Sequence, residues 1–233
     1  MSTPVPTLSV RRLYSAAAVL ALLAVLALLG DLPLARAIAS AEIPGDLRRM
    51  LGWSEVFAHG LGVAVLALVV FVLDQPRRRE IPRLLASAYL AGLLANAVKL
   101  LVGRVRPRYY SLEDGVLGTF LGLLPWWSGA SSSFGSGFPI QSFPSGHTAT
   151  AVGLAVGLTR LYPRGGWLFF VFAVLAAWQR IDAGAHYLSD TIAAASLGLL
   201  GAAFANDPRG LGGWFDRWER RGRYELPTSQ APE

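Results

Sequence analysis

The 233-residue sequence contains no cysteine. That excludes a thiol nucleophile, a disulfide scaffold and a zinc–thiolate site. Charge is scarce as well. Only 15% of residues are Asp, Glu, Lys or Arg, against about 25% in a soluble domain. The net charge is +6, yet no basic stripe marks a nucleic-acid surface, and no carboxylate cluster suggests a metal site. Neither a repeat nor a low-complexity linker divides the chain, so residues 1–233 read as one domain.

What the chain has in excess is apolar sequence, 53% of it, arranged in blocks. Six blocks read as membrane spans: 13–30, 56–74, 84–103, 144–162, 166–183 and 186–205. The first two hold about 18 uncharged residues each, enough to cross a bilayer core. The expected fold is therefore an all-α bundle of six transmembrane helices, with a long external loop between the third and fourth. Thirteen arginines fall on the side that holds both termini and seven on the other. By the positive-inside rule both termini are cytoplasmic. Arg11-Arg12, an apolar stretch and Ala39-Ser40-Ala41 mimic a cleaved signal peptide, but the apolar stretch is too long for one and is expected to stay as the first span.

Between the spans, residues 31–55 read as an external loop. Within it, Pro44 to Trp53 fits either a short interfacial helix or a plain surface turn. The loop from Gly103 to Phe143 carries Phe120, Trp126, Trp127, Phe134 and Phe138, which suit headgroup anchoring or the wall of a lipid site. Its run from Ser128 to Gly137 is expected to be flexible. The basic tail, 206–233, with Trp214 and Trp218, is expected to rest on the anionic cytoplasmic leaflet. Gly153 and Gly157 have a spacing that permits close helix packing. His59, in the second span, reads as a packed or hydrogen-bonded core residue.

Three motifs fall on the external side. The first is Lys99-x6-Arg106-Pro107, the second Pro144-Ser145-Gly146-His147, and the third Arg180-x5-His186-x3-Asp190. On a helix, His186 and Asp190 would share one face, with Cβ atoms about 5–6 Å apart. The carboxylate could hold one ring nitrogen and leave the other as a nucleophile or base. The same pair could equally cap a helix end. Pro144 to His147 precedes a helix, where free backbone N–H groups bind phosphate. Ser145 could add a donor and His147 a proton for a leaving oxygen. It would otherwise be an ordinary cap. Lys99, Arg104, Arg106 and Arg108 would each pass alone for membrane-edge anchors. Three cations, Lys99, Arg106 and Arg180, on one side with two histidines suit a phosphate and the charge of its transition state.

These motifs, in this order and spacing, resemble the type 2 phosphatidic acid phosphatase (PAP2) superfamily of membrane lipid phosphatases. One position departs: Gln179 stands where the family has Ser. The resemblance implies that His186 attacks phosphorus to form a phosphohistidine and that Asp190 orients it. It implies that His147 protonates the leaving group and then activates water. Lys99, Arg106, Arg180, Ser145 and the Gly146 N–H would hold the phosphate, with no metal or cofactor. The expected partner is a phosphorylated or pyrophosphorylated lipid of a bacterial inner membrane, met at the outer face. Isoprenyl diphosphates such as undecaprenyl diphosphate, phosphatidylglycerol phosphate, phosphatidate and lipid-A-like phosphates all fit. A phosphotransferase using the same intermediate, a vanadium-type haloperoxidase and a non-catalytic lipid transporter or scaffold are the competing readings. Oligomeric state is not encoded legibly.

Overall fold

The structure, a computed structural model, describes residues 9–125 and 138–221. Trp126, Trp127, Phe134, the Ser128–Gly137 run and the tail beyond residue 221 lie outside the described residues. Helix α1 spans Val10–Ser40, well past the predicted end at residue 30. The reason is Asp31: a charge ends an apolar count, but here the carboxylate is buried and paired within the protein. At 1.5 Å per residue the helix is about 46 Å long, more than a hydrocarbon core needs.

The second predicted span is broken. Residues Gly45–Trp53 form α2, Glu55–Ala58 form the single turn α3, and Gly60–Leu73 form α4. The segments on either side of His59 meet at 71°. His59 itself caps α4, its Nδ1 accepting from the Leu61 N–H at 3.2 Å. A histidine cap thus replaces the buried core residue expected there. Residues 45–53 take the helical alternative of the two considered for them.

After a 3₁₀ segment comes α5, Ile81–Leu101, with Pro82 in its first turn, where a missing N–H costs nothing. Then follow α6 (Gly146–Leu161), α7 (Gly166–Asp182), α8 (Leu188–Asn206) and α9 (Gly212–Arg221). Among the described residues, three helical stretches are long and apolar enough to cross a membrane, or four if the bent pair counts as one.

Helix α6 is the centre of the molecule, buried from Thr148 to Leu158 against α5, α7 and α8. Small residues make this possible. A Cβ on Gly153 would meet the Ala88 Cα at 3.1 Å and the Ala91 Cβ at 2.8 Å, so α5 and α6 touch through this glycine. The expected close packing at Gly153 is what the chain does.

The loop after α5 is not wholly irregular. Strands β1 (Val102–Arg104) and β2 (Phe120–Leu123) pair antiparallel, with a bulge between Gly103 and Arg104. This adds one short hairpin to a fold that is otherwise mostly helical, as expected. The hairpin closes the loop against the helix ends and satisfies backbone groups that would otherwise be buried unpaired. Arg104 beside the bulge is fully buried.

At the opposite end, α9 docks on the bundle through Arg83 of α5. Its guanidinium donates to Glu219 at 2.8 and 3.1 Å, to Asp216 at 2.5 Å and to the Gly212 carbonyl at 3.3 Å. Arg160 of α6 adds a bond to Glu219 at 3.1 Å. Burial pushes the Glu219 carboxyl up, against the pull of the two arginines. Trp214 and Trp218 stack on the exposed side. Arg83→Ala is expected to cost about 3–5 kcal/mol, since it strands a buried carboxylate. Faster proteolysis within α9, alongside a lower melting temperature in detergent, is the expected readout.

Candidate active site

Four helix ends meet at one end of the bundle. Lys99 comes from the last turn of α5, and Gly146 and His147 from the first turn of α6. Arg180 lies in the last turn of α7, and Asp190 in the first turn of α8. Between α7 and α8 the chain reverses through Gly184 at φ +60°, a left-handed conformation that favours glycine. His186 follows this turn.

Lys99, Arg106, Gly146, His147, Arg180 and His186 line a cavity of about 540 Å³. Six of the eight sequence-predicted site residues are therefore brought together. Asp190 and Ser145 are fully buried behind it. Ser145 is the α6 cap: its Oγ accepts from the Thr148 N–H at 3.3 Å and from the Thr148 hydroxyl at 3.0 Å. A somewhat larger cavity, about 600 Å³, lies between α1 and the α7–α8 turn, but it lacks Lys99, Arg106, His147 and Arg180. The smaller cavity has the chemistry.

The histidine geometry differs from the simple helical pair. Helix α8 starts at Leu188, so His186 precedes it and is out of helical phase with Asp190. The His186 Nδ1 lies 3.9 Å from Asp190 Oδ2 but 2.5 Å from the backbone carbonyl of Ser142. Nδ1–H therefore donates to that carbonyl, which leaves Nε2 unprotonated in the neutral ring. Asp190 acts one residue removed: the Ser142 hydroxyl donates to its Oδ2 at 2.6 Å. The Tyr187 N–H also donates to Oδ2, at 2.8 Å.

Arg104, expected only at the membrane edge, is the centre of this support. It donates to Asp190 at 2.5 Å, Asp31 at 2.7 Å, Ser189 at 2.8 Å and Thr119 at 3.1 Å. Tyr187 and Phe120 rings flank its guanidinium at 4.2 and 4.4 Å. Asp31 returns to α8, accepting from the Ser189 N–H at 2.8 Å and the Ser189 hydroxyl at 2.5 Å.

The cavity cations are held without being neutralised alike. Arg106 donates through Nε to the Phe138 carbonyl at 2.9 Å and lies over the Phe138 ring. Burial, then the neighbouring Arg108 and Arg180, pull its guanidinium down to about 10, so it stays cationic at neutral pH. Arg180 donates through Nη1 to Glu55 at 2.7 Å, and its Nε is buried with no partner among the described residues. The same Glu55 oxygen is 3.5 Å from His147 Nε2, and the His59 ring lies 6.0 Å from that of His147.

Sequence reasoning thus missed Asp31, Glu55, His59 and Ser142, and misread Arg104. A signal existed for Asp31, a carboxylate at the end of a long apolar run, where a charge needs a partner. Nothing local marks Ser142, which contributes both its backbone carbonyl to His186 and its hydroxyl to Asp190.

Residues 81–207 match the model of the PAP2 superfamily. The chain belongs to the PAP2 superfamily. Lipid A 1-phosphatase of Rhizobium etli is 32% identical to it over 132 residues, 57% of this chain and 45% of that protein. Decaprenylphosphoryl-5-phosphoribose phosphatase of Mycobacterium tuberculosis is 29% identical over 197 residues, 82% of this chain and 96% of that one. The chain thus spans less than half the length of the first relative and nearly all of the second. The crystal structure of Aquifex aeolicus LpxE shares the fold, with a TM-score of 0.54, 23% identity, and coverage of 75% of this chain and 93% of that one. In this PAP2 member, Gln179 precedes Arg180 where the sequence pattern suggests Ser. Its Oε1 accepts from Arg180 Nη1 at 3.2 Å, so the longer amide still steadies the guanidinium.

Proposed function

We propose that this PAP2 superfamily member is an integral membrane phosphatase that hydrolyses the phosphomonoester or pyrophosphate of a lipid. Six spans with both termini in the cytoplasm would carry it, and the site would face the outside of a bacterial inner membrane. Isoprenyl diphosphates, phosphatidylglycerol phosphate, phosphatidate and lipid-A-like phosphates remain the substrate candidates.

The observation that carries this reading is the tautomer of His186. With Nδ1–H committed to the Ser142 carbonyl, Nε2 has a free lone pair in a cavity lined by Lys99, Arg106 and Arg180. In the first step Nε2 attacks phosphorus and the bond from phosphorus to the leaving oxygen breaks. His147 supplies the proton that oxygen needs. In the second step His147 takes a proton from water, the hydroxide attacks phosphorus, and the N–P bond breaks to release inorganic phosphate. The three cations stabilise charge on the non-bridging oxygens throughout. Asp190, through Ser142 and the backbone of the α8 turn, keeps the imidazole oriented. Ser145 supports the α6 terminus, whose Gly146 N–H would hold phosphate.

The test is release of inorganic phosphate from lipid mono- and diphosphates in detergent with EDTA. An acid-labile phosphoenzyme should accumulate on rapid quenching. Attack needs His186 neutral, so activity falls as pH drops. Departure needs His147 protonated, so activity also falls as pH rises. A bell-shaped profile is expected, and a flat one between about pH 4 and 9 would remove the two-histidine mechanism. Loss of phosphate from the donor lipid only after an acceptor lipid is added, with the phosphate recovered on the acceptor, would point to a phosphotransferase instead.

A further inference from the structure

We propose that Glu55 sets the substrate class of this site, favouring a lipid phosphomonoester over a lipid diphosphate. The inference rests on the phosphatase reading above and deepens it.

Glu55 sits in α3, the single turn at the bend of the second apolar segment. One of its oxygens reaches two cavity groups, Arg180 Nη1 at 2.7 Å and His147 Nε2 at 3.5 Å. The other charged or titratable groups around His147 are Arg180 from α7, His59 at the start of α4, and Lys99 from α5. Glu55 is thus the acidic member of that set, and it stands at the proton donor rather than at the nucleophile.

In-line displacement decides what this position meets. Attacking and leaving atoms lie on opposite sides of phosphorus. With His186 on one side, the leaving oxygen is on the other, beside His147. Whatever is bonded to that oxygen therefore lies next to Glu55. In a phosphomonoester it is a carbon of an alcohol, with no charge. In a diphosphate it is a second phosphoryl group, with negative charge of its own. Like charges at such a separation repel strongly in a partly desolvated site. The Glu55 side chain is 40% exposed, which weakens the repulsion without removing it. Arg180 offers no full relief, because its Nη1 is already shared with Glu55 and Gln179. The contact penalises one substrate class and leaves the other untouched, which is how a repulsive element makes specificity.

The experiment compares kcat/KM for the monophosphate and diphosphate of one isoprenyl alcohol, using the full chain in detergent. Wild type should prefer the monophosphate by roughly tenfold or more, and Glu55→Gln should shrink that ratio by a similar factor. Glu55→Asp, which keeps the charge, should keep the preference. In parallel, wild type should be inhibited more strongly by inorganic phosphate than by pyrophosphate, a result that needs no variant to fold. A wild-type preference for the diphosphate, an unchanged ratio in Glu55→Gln, or stronger inhibition by pyrophosphate would each overturn the assignment. Failure of wild type to release phosphate from these two lipids and from every other candidate lipid phosphate would instead overturn the phosphatase reading, and this inference with it.

Discussion

Replacing His186 with alanine should lower phosphate release by about 10⁴-fold or more, whichever lipid phosphate proves best. The substitution removes the atom that would bond to phosphorus, and no nearby side chain can take its place. In the proposed mechanism His147 works from the opposite side of the phosphate, and Ser145 is buried behind the cavity as a helix cap. The variant should still fold, since its lost contact is one hydrogen bond to the Ser142 carbonyl. It should also still bind phosphate, because Lys99, Arg106 and Arg180 are untouched. Loss should therefore appear in kcat, and inorganic phosphate should raise the melting temperature of the variant and of wild type alike. Activity within tenfold of wild type would sink the nucleophile assignment.

Arg104→Met should be the most damaging change to stability at the site, costing about 3–5 kcal/mol. Its side chain is fully buried between two fully buried carboxylates, Asp31 and Asp190. Removing the cation leaves two like charges facing each other out of reach of water, near the shared Ser189. Lysine should not rescue, since an ammonium is a point charge and cannot reach four partners in the plane that the guanidinium spans. Asp31→Asn in the Arg104→Met background should recover part of the loss, because the two sites are in direct contact and their effects do not add. Thermal unfolding in detergent measures both. A melting temperature within about 2 °C of wild type would mean that the buried network contributes little.

The comparison of sequence and structure follows a physical line. Groups whose relation is set by short spacing were legible: Lys99, His147, Arg180 and Asp190 sit at helix ends, and Arg106 and His186 lie in the adjoining loops. Supporting contacts were not, because apolar periodicity reports which face is buried and says nothing about what it meets. Arg104 and Asp31 are 73 residues apart, and Arg180 and Glu55 are 125 apart. The His186–Asp190 pair shows the limit of spacing itself. Four residues apart implies a shared face only if the helix has begun, and α8 begins two residues too late. The broken second segment was hidden for a similar reason, since apolar residues stand on both sides of His59 and their composition does not report the bend.

One feature of α1 bears on how such a protein is made. Asp31 lies near the end of the first helix, yet its partner Ser189 opens the last long apolar one, 158 residues later. A ribosome would deliver these two residues to the membrane at opposite ends of synthesis. Lys99 and Arg106 would already be in place for much of that interval, as cations with no nucleophile behind them. On the proposed mechanism the first helix could not complete the site until α8 had joined it, and a chain cut short before α8 would carry Lys99 and Arg106 for the phosphate without the nucleophile to cut it.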